Sequence, residues 1–184
     1  MRKKIQNLFG IFILLFAFSA FTVNVQADTS ADLTVNGNEV IVALHLPEGK
    51  TETITSLRLK LYVSVKSGEM KEPSFQFAEG LASEVQDAAV GQGEEGNYVV
   101  DLILSGKQKQ DIFQGSEDAV IGTLVLTPEN GKDFIAEAGI SGEDSAETGN
   151  EQQDGDVQPV VQYVDSSGIS METLTLDNAA PVSV

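Results

Sequence analysis

The 184-residue chain carries 28 acidic against 11 basic side chains, a formal net charge of −17, and contains no cysteine. Such an acidic surface repels nucleic acid and anionic membranes, because contact adds like charge instead of releasing counterions. The lack of cysteine excludes disulfides, thiolate nucleophiles, zinc–thiolate sites and iron–sulfur clusters.

The first 27 residues have the features of a secretory signal peptide. Positions 2 to 4 are basic, residues 8–21 form an apolar run, and Val25 and Ala27 are the small residues of a cleavage site. The apolar run is shorter than the roughly 20 residues that span a bilayer. We therefore predict cleavage after Ala27, a secreted or extracellular protein, and membrane contact only during export.

The exported chain begins with a predicted hairpin and a long strand. Residues 31–35 and 38–46 alternate in polarity around Asn36-Gly37, a pair that predicts a type I′ turn. Strict alternation over residues 54–65 then predicts a half-buried strand with one apolar and one polar face. The apolar positions of that strand are Leu57, Leu59, Leu61, Val63 and Val65, and the polar positions include Arg58, Lys60 and Tyr62.

Short strands separated by turn residues continue to residue 176. A polar connector at residues 107–118 has Ile112 and Phe113 as its apolar anchors, and no stretch shows a sustained helical period. This pattern favours an all-β, antiparallel two-sheet sandwich of about nine strands. We predict one domain over residues 28–176 and a tail at 177–184. The later strands are expected at residues 74–81, 83–90, 97–104, 119–126, 134–140, 157–164 and 169–176.

Two apparent motifs do not predict chemistry. Residues 91–96 match G-x-G-x-x-G, but a dinucleotide site needs a helix next, and here a strand follows, so we predict a hairpin loop. Glu94 and Glu95 would also repel a phosphate. His45 is the single histidine, and no nearby residues supply a triad or a metal site, so we interpret it as a strand-surface side chain.

Paired carboxylates occur only in predicted loops. An acid catalyst needs burial to raise its pKa, and solvated loops do not provide it. The acidic segment 141–156 lacks the EF-hand pattern, so we expect no metal, no cofactor and no enzyme activity, with incidental calcium affinity of this loop left open. The pairs are Glu94/Glu95, Glu143/Asp144 and Asp154/Asp156.

The outward positions of two strands form the candidate binding surface. If residues 54–65 and 97–104 lie side by side, their outward side chains share a flat patch that mixes apolar, charged and aromatic groups, which suits a protein interface. The alternative is an ordinary sheet surface, or one covered by a loop. The candidate partner-binding residues are Arg58, Lys60, Tyr62, Asn97, Val99, Asp101 and Ile103.

The order of these strands resembles the cohesin-type domains of Gram-positive, plant-fibre-degrading bacteria. The most specific segment is Ile121-Gly122-Thr123-Leu124, and the resemblance covers residues 33–176. It implies a nine-stranded jelly roll, related to carbohydrate-binding modules, in which one sheet face binds a dockerin, a small calcium-loaded module of secreted enzymes. It places that face on the same two strands.

The sequence thus predicts a secreted, non-catalytic module, related to cellulosome components, that binds a protein partner such as a dockerin. Polysaccharide binding is the alternative. Sugar-binding faces stack rings on aromatic side chains, and the chain has no tryptophan and three tyrosines: Tyr62, Tyr98 and Tyr163. Because Tyr98 is predicted to be core, a stacking platform is hard to assemble.

Overall fold

The computed structural model describes residues 30–46, 54–93, 97–107, 110–116, 118–142, 159–166, 171–176 and 180–184. The predicted signal peptide, its cleavage site and the three carboxylate pairs lie outside these residues. Only Ser141 and Gly142 of the acidic segment 141–156 lie within them.

The described residues form eleven strands in two antiparallel sheets. One sheet has the order β1-β2-β7-β4, and the other has the order β10-β9-β3-β6-β5, with β8 also paired to β3 and β11 paired to β8. This confirms the predicted all-β, two-sheet sandwich, in which the chain repeatedly crosses between sheets as in a jelly roll. The strands are β1 Ser30–Asn36, β2 Glu39–His45, β3 Ile54–Ser67, β4 Ser74–Phe77, β5 Ser83–Gln92, β6 Tyr98–Gly106, β7 Asp118–Val125, β8 Ile135–Ile140, β9 Val160–Asp165, β10 Glu172–Thr175 and β11 Val182–Ser183.

The first hairpin forms with a different turn from the one predicted. Asn36 pairs with Glu39, so the two turn residues are Gly37 and Asn38, one position later than expected. Of these two, only Gly37 has a positive φ, at 63°. A glycine at the first of two turn positions is typical of a type II′ turn, whereas type I′ needs positive φ at both.

Strand β3 organises the seven-stranded sheet because of its length. Its 14 residues extend about 45 Å, enough to hold two partner strands end to end on one edge. Strand β8 pairs with residues 61–67 of β3 and β9 pairs with residues 54–59, while β6 lies along the opposite edge. The strand that alternates most clearly in sequence is therefore the middle of the sheet.

The core lies between the inward faces of the two sheets. The predicted inward residues of β3 from Leu57 to Val63 are at most 2% exposed, and the alternate residues of β6 from Val100 to Leu104 are fully buried. Burying each such side chain stabilises the fold by about 1.5–3 kcal/mol. The opposite sheet contributes Val40, Val42, Leu44, Ile121 and Leu124.

Gly122, in the segment that resembles the cohesin family, lies where two strands approach closely. The pairing of β2 with β7 shifts between Val42 and Ala43, so that Ile121 is an extra residue in β7. A Cβ at position 122 would overlap the Gln76 carbonyl and lie 2.6 Å from the Phe75 ring. Glycine is needed here because the backbones and this ring leave no room for a side chain.

The C-terminal residues add to the seven-stranded sheet. Strand β11 lies beyond residue 176, where the sequence predicted the domain to end, and Val182 pairs with Ala138 of β8. The Val184 amide also donates to the Ala136 carbonyl at 2.8 Å. These residues complete the end of the sheet beside β8.

Candidate protein-binding site

The solvent side of the seven-stranded sheet, called the outer face below, brings six of the seven candidate residues together along β3 and β6. Residues directly opposite each other in an antiparallel pair share one face. The sequence-derived patch is therefore a continuous surface two strands wide. The opposed pairs are Arg58 with Ile103, Lys60 with Asp101, and Tyr62 with Val99.

The charges at the middle of the outer face are arranged diagonally. The Arg58 Nε donates to Asp101 Oδ1 at 2.9 Å and its Nη2 donates to Asp101 Oδ2 at 2.5 Å, a two-pronged contact. Such a contact orients both groups better than a single ion pair does. In the described part of the chain no ion pair involves Lys60, which lies directly opposite Asp101.

Tyr62 is the aromatic group of the outer face. Its ring lies over Gly139 of β8, and a Cβ at position 139 would overlap the ring. Burial raises the pKa of the Tyr62 phenol, and the negative charge of Glu137 and a hydrogen bond with its carboxylate raise it further. The phenol therefore stays neutral and holds its proton strongly.

Asn97, the seventh candidate, lies at the rim of this surface. Its Oδ1 accepts a hydrogen bond from the Val65 amide at 3.2 Å. Its main-chain carbonyl accepts another from Gly93 at 2.8 Å, which closes the β5–β6 hairpin. Asn97 thus has a structural role. Gly91 and Gln92 of the glycine motif lie in β5, and residues 94–96, where the hairpin loop is predicted, lie outside the described residues.

An apolar area that the sequence did not predict adjoins Ile103. Strand β9 places Val164 beside the start of β3. Val164 and Met171, together with Ile103 and Arg58, line a shallow depression of about 190 Å³. Ile103 is 40% exposed and Met171 is 56% exposed. Periodicity along β9 could show which residues share a face but not that β9 pairs with β3.

The tyrosines do not form an aromatic platform. Tyr163 is 2% exposed, and its phenol donates a hydrogen bond to Glu172. Tyr98 lies opposite Val63 on the inward side of the sheet, where it packs against the core. Of the three tyrosines, only Tyr62 lies on the outer face.

His45 has a partner that the sequence did not reveal. Its Nδ1 lies 2.6 Å from Asp118 Oδ1 on the adjacent strand β7, and Ser30 lies opposite it on β1. A nucleophilic triad would need a contact between the serine and histidine side chains in a pocket. Among the described residues no hydrogen bond joins Ser30 to His45, and this row lies on an open sheet surface.

Within the described residues, no group of three or more histidine, aspartate or glutamate side chains could hold a metal ion. In the same part of the chain, no helix combines the length and apolar character needed to cross a membrane.

No protein-family profile matches the chain, and no curated protein matches it. Solved structures do. The chain is similar to cohesin domains. One is the sixth cohesin of scaffoldin B from Acetivibrio cellulolyticus, solved in complex with a mutant Cel5 dockerin. It is 14% identical over 84% of this chain and 97% of that chain, with a TM-score of 0.48.

Two further cohesins have similar coverage. The seventh ScaB type I cohesin of Pseudobacteroides cellulosolvens is 12% identical over 85% of this chain and 90% of that chain, with a TM-score of 0.44. A type II cohesin from the cellulosome of Acetivibrio cellulolyticus is 6% identical over 85% of this chain and 95% of that chain, with a TM-score of 0.45. At these identities the likeness concerns the fold alone.

Proposed function

We infer that the chain is an exported, non-catalytic module that binds another protein through its outer face. The partner class, a dockerin-like module, is the one that the sequence resemblance implies. The observation that carries the proposal is the placement of Tyr62 and Val99 at one end of the patch and Ile103 at the other, with the Arg58–Asp101 pair between them. It combines an aromatic ring, apolar side chains and charges already paired with each other, a composition suited to an interface centre.

The paired charges reduce the cost of covering this surface. A partner that buries an unpaired guanidinium must supply a carboxylate in its place, whereas Asp101 already supplies one to Arg58. Lys60 is then the cation that selects the partner, because an acidic side chain placed against it would be favoured and a basic one rejected.

The test is calorimetric titration of the chain with purified calcium-loaded dockerin modules of types I and II. Ile103→Asp and Val120→Asp form a matched pair, because both replace an exposed aliphatic side chain, 40% and 49% exposed, on opposite sheets. We expect binding by at least one dockerin type, weakened more than tenfold by Ile103→Asp and unchanged by Val120→Asp, since truncating an interface hot spot costs about 2 kcal/mol or more.

Equal losses with both variants, or no binding by either dockerin type, would contradict the proposal. Retention of the wild-type chain on insoluble cellulose or xylan, without dockerin binding, would favour the carbohydrate-binding alternative. Lys60→Glu adds a test of selectivity: it should weaken binding to a partner that presents an acidic side chain and leave the fold intact.

A further inference from the structure

Strand β5 is a long strand at the edge of the seven-stranded sheet. It has ten residues, and within the described part of the chain it pairs only with β6. In an antiparallel pair, every second residue directs its N–H and C=O away from the partner strand. Residues 85–92 pair with β6 in regular register, so several such groups line the open edge.

The other sheet edges are shorter or bounded by other chain segments. Strands β4 and β10 have four residues each, and Pro73 precedes β4. Strand β1 lies close to β11 at the C-terminal end. Proteins usually protect long edges with charged side chains, above all lysine, with proline, or with a bulge in the exposed stretch. Strand β5 contains neither lysine nor proline, and its irregularity lies at its start, between Ser83 and Val85.

The charges on β5 restrict which strand could pair with it. Glu84 and Asp87 are both exposed, and among the described residues no ion pair involves Asp87. Lys107 Nζ lies 3.9 Å from Glu84, so that carboxylate is only weakly compensated. An incoming strand would bring its side chains beside Asp87 on the outer face, where a cation would be attracted and a carboxylate repelled.

A second copy of this chain is a poor occupant for the same reason. Two β5 strands paired antiparallel around Ala88 would place each Asp87 diagonally opposite the other, and each chain carries a net charge of −17. Like charges at neighbouring cross-strand positions oppose pairing.

We propose that the open edge of β5 accepts an extended basic segment of another protein, which adds to the seven-stranded sheet as a further strand next to β5. Main-chain hydrogen bonds to β5 supply the affinity, and lysine or arginine side chains placed beside Asp87 supply the selectivity. The main-chain edge of β5 makes this contact, whereas the dockerin-like binding proposed above uses side chains of β3 and β6, so the proposal does not depend on it.

The probe is an acetylated eight-residue peptide that alternates valine and lysine, added to the whole chain and followed by residue-resolved amide hydrogen exchange. We expect exchange to slow at alternate amides of residues 85–91. Asp87→Asn should weaken peptide binding about two- to fivefold, the effect of losing one exposed ion pair. Asp32→Asn, which removes an exposed carboxylate from the edge strand β1, is the matched control and should leave affinity unchanged.

Two control peptides separate strand pairing from simple charge attraction. N-methylation of all amides should abolish binding, because neither edge of the peptide can then pair with β5, and glutamate in place of lysine should abolish it too. Equal binding of the N-methylated peptide, protection at residues outside β5, or no binding at millimolar peptide would overturn the proposal. Self-association of the chain with the same alternating protection of β5 would overturn it in favour of a second copy.

Discussion

The ring of Tyr62 on β3 lies directly over the backbone of Gly139 on β8. The two residues are opposed in the antiparallel ladder, and position 139 has no side chain to displace the ring. Glu137, two residues earlier on β8, acts on the phenol and raises its pKa. The position of the aromatic group on the outer face is therefore set by the neighbouring strand.

Gly139→Ala should displace this ring, because the new Cβ would occupy its place. We expect a loss of about 1 kcal/mol in the free energy of unfolding, at the low end of overpacking costs since the ring can rotate outward. The less buried phenol should then titrate at a lower pH, measured by the absorbance of tyrosinate with Tyr62→Phe as the reference. If the titration of Tyr62 were unchanged, the position and burial of its ring would not depend on this glycine.

Tyr62→Phe should change how stability depends on alkaline pH. Because the folded-state pKa of Tyr62 is raised, the tyrosine contributes stability that is complete below its unfolded pKa of 10.0 and is lost as pH rises through the folded value. The free energy of unfolding, measured with urea, should therefore fall more steeply between about pH 8 and pH 11 for the wild type than for Tyr62→Phe. Glu137→Gln should remove part of this difference. Parallel curves for wild type and Tyr62→Phe would contradict the assignment.

The Arg58–Asp101 pair should show measurable coupling. The side chains are 36% and 23% exposed, so we expect a double-mutant cycle with Arg58→Gln and Asp101→Asn to give about 0.5–1 kcal/mol, decreasing as salt increases. Lys107 and Glu84, which lie 3.9 Å apart and are both more than 60% exposed, form the comparison cycle and should show no coupling. Equal coupling in both cycles would mean that the two-pronged geometry adds nothing.

Gly122→Ala should be much more costly than Gly91→Ala. The first adds a methyl group between β4 and β7, with an expected loss of about 1–3 kcal/mol or more, measured by urea unfolding. At position 91 the nearest atom to an added Cβ is 3.9 Å away, so that variant should keep wild-type stability. If both variants were neutral, the close approach at Gly122 would not restrict the fold.

Local periodicity was sufficient to predict the inward and outward faces of β3 and β6. Alternation with period two predicts the face of each residue without knowledge of its neighbours. With the two strands assumed to lie side by side, it puts Tyr62, Val99 and Ile103 on one surface, as the pairing of β3 with β6 confirms. The turn at residues 37–38 was predicted one position early because asparagine and glycine both tolerate the required backbone angles.

Contacts between residues that are distant in the chain could not be predicted from the sequence. The diagonal contact of Arg58 with Asp101 depends on the register of β3 and β6, and the packing of Tyr62 on Gly139 depends on the pairing of β3 with β8. His45 and Asp118 are separated by 73 residues and meet only because β2 and β7 are neighbours. None of these pairings is encoded in the local alternation of one strand.

The central claim is that the outer face of the seven-stranded sheet is the protein-binding surface. Because the chain has no cysteine, single thiols introduced by Lys60→Cys on the outer face and Val120→Cys on the opposite sheet can be labelled selectively. A saturating dockerin module should slow maleimide labelling of the Lys60→Cys variant more than tenfold and leave the Val120→Cys variant unaffected. Protection of the Val120→Cys variant alone, or equal protection of both, would contradict the claim.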